Sequence, residues 1–343
     1  MRSFFLALAV YLVSAFNMAW CQRVVDKVKF FTDTAVVNAT LTFNMGKLLG
    51  NKNKEGVKYP AVFACRLGDS MAVNDHIQIQ VRGHYRRSIC YMPPIKLIYK
   101  DNASAAFYHL KALKLVSTCK PNDYYDQYLL KEFVAYKMYN LITDKSLRVR
   151  LLNLTYQDSS GRKKTITRHA FVLEDAKEMA KRNDCADVSD LKFVTERTNR
   201  RQMTMVAIFE YMIGNTDWSV PVNHNIIVMR PKKDSTARPF TVAYDFDFSG
   251  FVATDYSFPD ERLGIENVKQ RLYRGFPRTI EELNDVLSVF NARKAQIYAT
   301  INNFNLLQPQ TKKDMIGYLD QFYKTINNPK EVKREFIDNA RTE

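Results

Sequence analysis

The chain has 343 residues, of which 46% are hydrophobic and 25% are charged, and its formal net charge is +15 at pH 7. This composition is ordinary for a globular protein, the chain has no low-complexity stretch or internal repeat, and its length suits one large domain or two smaller ones. The basic excess favours contacts with polyanions such as nucleic acid, anionic glycans, nucleotides or acidic protein surfaces.

The first 21 residues have the pattern of a secretory signal peptide. Arg2 supplies the positive start, residues 4–16 are nearly all apolar, and the small residues Ala19 and Cys21 precede a cleavage site at Gln22. The apolar run is too short for a membrane span, and no later stretch is long and apolar enough to cross a bilayer. We therefore expect an exported protein, periplasmic or secreted. Lipid modification of Cys21 is the alternative.

Cleavage after Cys21 would leave four cysteines, and an even number in an exported chain permits disulfides. Three pairings can be drawn among Cys65, Cys90, Cys119 and Cys185. The pair Cys90–Cys119 is favoured because both residues lie near predicted strands, and unpaired buried thiols are the alternative. The absence of CxxC spacing argues against a zinc site.

Residues 22–58 are predicted to form a β-type extension with a glycine-containing linker. Residues 77–81 then alternate between apolar and polar side chains, which is typical of a strand. This strand leads into Arg82 and Gly83. A glycine turn lets backbone N–H groups approach an anion closely, so the pair is a candidate phosphate-binding turn.

Two further lysine-bearing strands and one long helix are predicted next. Lys96 lies in the strand-like residues 95–99, and Lys114 lies in the strand-like residues 113–116. Residues 124–142 carry an apolar stripe at helical spacing. Glu132 lies off that stripe and is free to point into a cleft, with a solvated surface position as the alternative.

The next part of the chain is predicted to form a hairpin and then helices. Residues 147–156 and 165–173 favour two paired strands, and the chain leaves the second strand at Glu174. Residues 188–213 are predicted to be mostly helical and to stop at Gly214, a typical helix end. Amphipathic helices are predicted at residues 281–304 and 311–326.

Residues 214–250 contain the most informative polar side chains of the sequence. Asp217 is predicted to lie in the loop after the helix that stops at Gly214. Asn225 is predicted to lie at the start of a short strand, residues 226–229. A loop aspartate followed by an asparagine at a strand edge favours a catalytic site, and turn-capping is the alternative.

Residues 240–248 alternate as in a strand, with Asp245 and Asp247 on the same face. Alternate residues of a strand are ~6–7 Å apart, so two carboxylates would point the same way. Because strands are poor in aspartate, the pair favours a functional site over a solvent-facing surface.

The order of these motifs resembles the CotH-type kinases of bacterial spore coats and, more distantly, HipA-like and secreted kinase-like proteins. The segment R-G-H-Y-R-R at residues 82–87, followed by P-P-I-K-L-I-Y-K at residues 93–100, resembles a further element of that family. The resemblance spans residues 77–249. It implies an α+β, bilobal protein-kinase-like fold, with a β-rich N-lobe at residues 59–175 and a mainly helical C-lobe at residues 176–343.

The resemblance also implies a catalytic role for Asp217, which would orient or deprotonate an acceptor hydroxyl. It implies ATP and Mg²⁺ or Mn²⁺ as cofactors, with the metal held on the phosphates by oxygen ligands. The implied metal ligands are Asn225, Asp245 and Asp247.

Six residues are implied to bind the nucleotide: Arg82, Gly83, Lys96, Lys114, Glu132 and Glu174. Lys96 would hold the phosphates, with Lys114 as the alternative, and Glu132 would position the lysine. Glu174 would mark the segment whose backbone meets the adenine.

Two functions follow from the sequence. The first is an exported, monomeric phosphotransferase that moves the γ-phosphoryl group of ATP to a hydroxyl of a protein or another acceptor. The alternative is a catalytically inactive binding or adhesion module of the cell envelope, because ATP is expected to be scarce there and because His84 and Tyr85 replace small polar residues of the family's phosphate loop. Polyanion binding driven by charge alone is a third interpretation.

Overall fold

A computed structural model describes residues 29–68, 71–99, 107 and 110–342. The expected signal peptide and the alternative lipid modification of Cys21 lie outside these ranges. Across the described ranges, no helix combines the length and apolar character needed to traverse a bilayer.

Strands and helices alternate through most of the chain. The strands are β1 Val37–Phe43, β2 Lys58–Leu67, β3 Met71–Val81, β4 Ile95–Ile98, β5 Ala112–Ser117, β6 Val149–Asp158, β7 Ile166–Leu173, β8 Cys185–Asp187, β9 Ile226–Pro231 and β10 Phe240–Ala243. The α-helices are α1 Lys29–Thr32, α2 Met45–Gly50, α3 Tyr85–Ile89, α4 Asp123–Ile142, α5 Ala176–Arg182, α6 Arg200–Ile213, α7 Ile280–Asn302, α8 Pro309–Ile326 and α9 Pro329–Lys333. Single turns of other helix types lie at Thr195–Arg197, Glu261–Leu263 and Arg334–Asp338.

Seven strands form a closed barrel in the order β1-β2-β3-β4-β5-β7-β6. Strand β1 closes the barrel, because it pairs antiparallel with β2 and parallel with β6. Leu41 of β1 faces Phe63 of β2 and Tyr156 of β6 in the two registers. Alternate side chains along each strand fill the interior, so the barrel has its own hydrophobic core.

The bilobal protein-kinase-like fold expected from the sequence is wrong, because these strands close into a barrel. The sequence assigned residues 22–58 to an extension outside the folded body, whereas β1 lies within the barrel and completes it. The parallel pair β1–β6 joins residues such as Thr42 and Gln157, which are 115 positions apart. A pairing at that separation leaves no local pattern, so the closure could not be inferred from the sequence.

The other part of the fold packs helices against a three-stranded antiparallel sheet, β10-β9-β8. Helix α6 is buried from Gln202 to its last residue, and it contacts both β10 and α7. Helix α4 contacts the barrel strand β7 as well as α7. It therefore joins the barrel to the helical part, and the candidate site lies along this junction.

Several local predictions are confirmed. The long helix is α4, the predicted hairpin is β6–β7, and α6 ends at Gly214, whose φ of 65° is typical of a left-handed helix cap. The helix predicted from residue 188 starts only at Arg200, because the Asn199 side chain caps it there by accepting a hydrogen bond from the Gln202 N–H. Residues 29–32, within the predicted β-type extension, form a helical turn.

The favoured disulfide is also confirmed. Cys90 and Cys119 are bonded, with their Cα atoms 4.5 Å apart, while Cys65 and Cys185 are buried free thiols. The Tyr91 N–H donates to the Cys119 carbonyl at 2.9 Å beside the bond. The disulfide thus fastens α3 to the end of β5.

Candidate active site

The hairpin β9–β10 brings Asn225 and Asp245 together. Its register pairs Ile226 with Ala243, so the residue before β9 and the residues after β10 are neighbours. The Tyr244 N–H donates to the Asn225 carbonyl at 3.1 Å. Asn225 and Asp245 have positive φ values of 53° and 68°. Such left-handed conformations are uncommon outside glycine and concentrate at functional sites.

The prediction that Asp245 and Asp247 lie on one face of a strand is wrong. Strand β10 ends at Ala243, and the positive φ of Asp245 turns the chain. The Asp245 N–H donates to the Tyr136 hydroxyl at 2.8 Å, and the Phe246 ring packs on the Tyr136 ring with centroids 4.6 Å apart. Asp245 is consequently half-buried, whereas Asp247 is 5% exposed.

Asp217 lies in the loop after α6, as predicted, and two side chains hold its carboxylate. His224 Nε2 is 2.7 Å from Asp217 Oδ1, and Asn225 Nδ2 donates to Asp217 Oδ2 at 3.0 Å and to the Asp217 carbonyl at 2.7 Å. The hydrogen bond with Asp217 raises the pKa of His224. The side chains of Asp217 and His224 are 39% and 52% exposed, so a solute can reach both.

The loop that carries Asp217 is fixed from outside by Arg274. The Arg274 guanidinium donates to the carbonyls of Thr216 and Trp218, the residues on either side of Asp217, and it lies 5.5 Å from the centre of the Trp218 ring. Sequence reasoning assigned no chemistry to the segment containing Arg274. It also gave His224 no role, although His224 directly precedes Asn225.

Glu210 lies beneath this loop, on the buried face of α6. It is 1% exposed, both carboxylate oxygens lack a hydrogen-bond partner among the described residues, and burial raises its pKa well above the usual range. Asn215, whose side-chain oxygen accepts the Asp217 N–H at 3.1 Å, is equally buried. In the sequence, the indication of this buried polar group is Glu210, which falls among the apolar positions of the predicted helix.

On the barrel side, two cations face Asp245. Lys114 Nζ lies 4.7 Å from the centre of the Tyr244 ring, and Arg82 donates to the Leu115 carbonyl at 3.4 Å. Burial lowers the pKa of Lys114 and the nearby Arg82 lowers it further, whereas Asp245 opposes both effects.

Lys96 and Gly83 lie farther out. Lys96 pairs directly with Lys114 across β4–β5, but it is exposed. Gly83 has a φ of 75° and turns the exposed chain between Arg82 and α3. Of the two candidate lysines, Lys114 is therefore the one that acts electrostatically on Asp245.

Asp247 belongs to a second, buried group with Arg86 and Glu132. Arg86 Nη1 lies 3.9 Å from Glu132 Oε2 and 3.7 Å from Asp247 Oδ2, and the Tyr256 hydroxyl donates to Asp247 Oδ2 at 3.0 Å. Burial, together with the nearby Asp245, raises the pKa of Asp247 to about 6. Burial also raises the pKa of Glu132 well above its usual range.

The expectation that Glu132 clamps a lysine is therefore not met, because its ionic partner is Arg86. The arginine reaches Glu132 from α3 and also donates to the Ser117 carbonyl. One cation thus serves two buried carboxyl groups.

Glu174 directly follows Leu173, which pairs with Lys114 across β5–β7, and its side chain supports the local fold. Its carboxylate accepts hydrogen bonds from Arg182 Nε at 2.8 Å and from the Arg148 N–H at 3.0 Å. Its own backbone N–H donates to the Arg148 carbonyl at 2.9 Å, so that N–H is not free to bind an adenine.

Comparison with known proteins assigns this chain to no family. No protein-family model matches it, and no curated protein matches it at a significant level. The chemistry of the site therefore rests on its own side chains.

The site has oxygen ligands suitable for a hard divalent cation. In the described ranges the Asp245 carboxylate accepts no hydrogen bond, and the Asn225 amide oxygen is also without a donor, since Asn225 uses its Nδ2 atom to hold Asp217. Within the same ranges, no three His, Cys, Asp or Glu side chains form a metal-binding group. This donor set suits Mg²⁺, which is commonly held by one or two carboxylates, water and substrate phosphates.

A large cavity at this junction is separate from the candidate site. It has a volume of about 1200 Å³ and is lined by α4, α8 and the segment around Phe251. None of the candidate catalytic residues lines it. The candidate site is therefore defined by its side chains and not by this cavity.

Proposed function

We propose that this chain is a metal-dependent phosphotransferase that moves the γ-phosphoryl group of ATP to a hydroxyl group of a protein acceptor. The observation that carries the proposal is the convergence of Asp217, Asn225 and Asp245 opposite the cations Arg82 and Lys114. Phosphoryl transfer needs little more than positioned charges and an oriented hydroxyl. The proposal rests on these side chains and requires no protein-kinase fold.

The cation–carboxylate arrangement supports a nucleotide site. Arg82 and Lys114 would contact phosphate oxygens, and Asp245 with Asn225 would hold Mg²⁺ or Mn²⁺. When bound, the metal would neutralise charge on the phosphates. Asp247 is a weaker candidate ligand than Asp245, because Tyr256 and Arg86 already engage its carboxylate.

Asp217 has the contacts expected of a residue that handles the acceptor. Its carboxylate would accept the hydrogen of the acceptor hydroxyl, while His224 and Asn225 keep it oriented. The exposed position of Asp217 and His224 leaves room for a macromolecular substrate. Orientation of reacting groups is a large contribution to catalysis, and it is lost by shifts of about 1 Å.

We further propose that the protein acts outside the cytoplasm. The Cys90–Cys119 disulfide supports this location, since such bonds persist in oxidising compartments and are rare in the cytosol. The targeting pattern in the first 21 residues points the same way.

The test separates binding from transfer. Thermal unfolding of the wild type should shift upward with ATP and Mn²⁺ together, because a ligand of the native state stabilises it. Asp245→Ala should lose the metal-dependent shift, and Asp217→Asn should keep it. Asp285→Asn, which removes an exposed carboxylate of α7 that pairs with Arg201, serves as the control.

Transfer is then measured with γ-labelled ATP and a panel of secreted acceptor proteins. Asp217→Asn should lower transfer by at least about 10³-fold while leaving nucleotide affinity within about twofold. Unchanged transfer in this variant would remove the proposed mechanism. A metal-dependent shift without transfer by the wild type would instead favour the inactive binding module, and no shift at all would contradict a nucleotide site.

A further inference from the structure

A second cluster of cations lies around a small cavity between α4, β6 and α7. The cavity has a volume of about 130 Å³, and Lys137, Arg150, Asp33, Phe133, Thr300 and Phe304 contribute to its walls. None of these residues belongs to the proposed active site. The cavity adjoins the face of α4 that carries Lys137.

Lys137 has no counterion in the ranges that the structure describes. Its ammonium group makes no ion pair, hydrogen bond or ring contact there, although the residue is half-buried. Burial lowers the pKa of Lys137, and two like charges, Arg150 and Arg148, lower it further. A half-buried cation among other cations is costly unless an anion neutralises it.

Arg150 supplies the second cation of the wall. It is 4% exposed, its Nη1 donates to the Phe30 carbonyl at 3.1 Å, and its Nη2 pairs with Asp33 Oδ2 at 2.8 Å. Its Nη1 also donates to the Asp33 carbonyl, and its Nε atom is fully buried, so Arg150 acts on the cavity mainly through its positive charge.

The charges do not balance without a further anion. Lys137 and Arg150 line the cavity, and Arg148 lies close enough to lower the pKa of Lys137, whereas Asp33 pairs with Arg150 alone. Lys137 therefore keeps a positive charge that no described carboxylate neutralises, and this charge matches an anion. The Asp33 side chain is itself 47% exposed, so it neutralises Arg150 from the solvent side.

The size of the cavity limits the ligand. A water molecule occupies about 30 Å³ in the liquid, so the space corresponds to about four waters. Four oxygens around one central atom fill a similar space. A nucleotide or sugar does not fit, because pockets for molecules of that size are usually about 300–1,000 Å³.

We propose that the cavity is a binding site for one tetrahedral oxyanion, a sulfate or phosphate group, held by Lys137 and Arg150. The anion is either a free inorganic ion or the terminal group of a phosphomonoester, and both present the same oxygens. This site is independent of the proposed phosphotransferase function.

The experiment is titration calorimetry of the full chain with sodium sulfate in a sodium chloride buffer of matched ionic strength. Five proteins are compared: the wild type, Lys137→Met, Lys137→Arg, Lys114→Met and Lys164→Met. Lys114→Met removes a phosphate-binding candidate of the active site, and Lys164→Met removes an exposed charge from the β6–β7 turn. Unfolding temperature and circular dichroism report whether each variant is folded.

We expect one saturable sulfate site in the wild type. Lys137→Met should weaken it by at least tenfold, while Lys164→Met should bind as the wild type does. Loss of binding in Lys114→Met instead would place the sulfate in the active site and would overturn the proposal. Lys137→Arg keeps the charge and should retain binding, which separates loss of the site from loss of folding. Wild-type affinity in a folded Lys137→Met protein, or no saturable binding by the wild type, would overturn the proposal.

Competition then identifies the source of the anion. O-phosphoserine that displaces sulfate at equal stoichiometry would identify a phosphomonoester site. Displacement by inorganic phosphate but not by O-phosphoserine would identify a site for the free ion.

Discussion

Asp245 and Asp247 are two positions apart, yet they belong to regions with opposite properties. Asp245 is half-buried, accepts no hydrogen bond among the described residues and lies near Arg82 and Lys114. Asp247 is 5% exposed and already engaged by Tyr256 and Arg86. The half-buried carboxylate of Asp245 is available to a ligand, whereas the buried carboxylate of Asp247 mainly organises the protein.

The largest expected effect on stability comes from removing the cation of the buried region. Arg86→Met would leave Glu132 and Asp247 buried without a positive partner, which typically costs about 3–5 kcal/mol. The loss should be smaller at pH 5 than at pH 7.5, because both carboxyl groups have raised pKa values and become protonated on acidification. Urea unfolding of the wild type and the variant at the two pH values measures this difference in the free energy of unfolding.

The control for Arg86→Met is Arg87→Met. Arg87 pairs with Glu55, whose side chain is 70% exposed, so its loss should cost less than about 1 kcal/mol. Equal losses in the two variants would show that the buried region does not depend on its cation.

A smaller effect, of opposite sign, is expected for Asp247→Asn. The folded pKa of Asp247, about 6, lies above its usual value of 3.8, so the folded state binds more protons and its stability falls as pH rises from about 4 to about 6. Replacing the charge should raise the free energy of unfolding at pH 7 by up to about 3 kcal/mol, since each pKa unit corresponds to about 1.4 kcal/mol.

The same variant sharpens the contrast with Asp245. Asp247→Asn should keep the stabilisation by ATP and Mn²⁺ that Asp245→Ala loses. A folded Asp247→Asn protein that no longer responds to nucleotide would place Asp247 among the metal ligands after all.

The smallest of these effects concerns the loop that carries Asp217. Arg274→Met would release the carbonyls of Thr216 and Trp218 and loosen the loop that holds Asp217. Transfer should fall by about 10–100-fold through kcat, with little change in nucleotide affinity. A drop in affinity instead of kcat would mean that the loop contributes to nucleotide binding.

The sequence was informative wherever a local pattern decides the structure. Helix α4, the hairpin β6–β7 and the helix end at Gly214 follow from spacing and from glycine, and they place Asp217 and Asn225 correctly. The positive φ of Asp245 carries no such signal, because an alternating run reads as a continuous strand.

Long-range pairing accounts for most of the remaining errors. The parallel pairing of β1 with β6 closes the barrel, and the contact between Arg86 and Glu132 makes Arg86 the ionic partner of the glutamate. Each joins segments far apart in the chain, where periodicity gives no information. His224 and Arg274 were missed because a lone histidine or arginine in a loop has no pattern that distinguishes it from a surface residue.

The Cys90–Cys119 bond links the cations of the two acidic regions. Closing its 29-residue loop lowers the conformational entropy of the unfolded chain, which stabilises the folded state by about 3–4 kcal/mol at 25 °C. It also ties α3, which carries Arg86, to β5, which carries Lys114. A single covalent bond therefore holds together the two elements whose cations serve the two acidic regions.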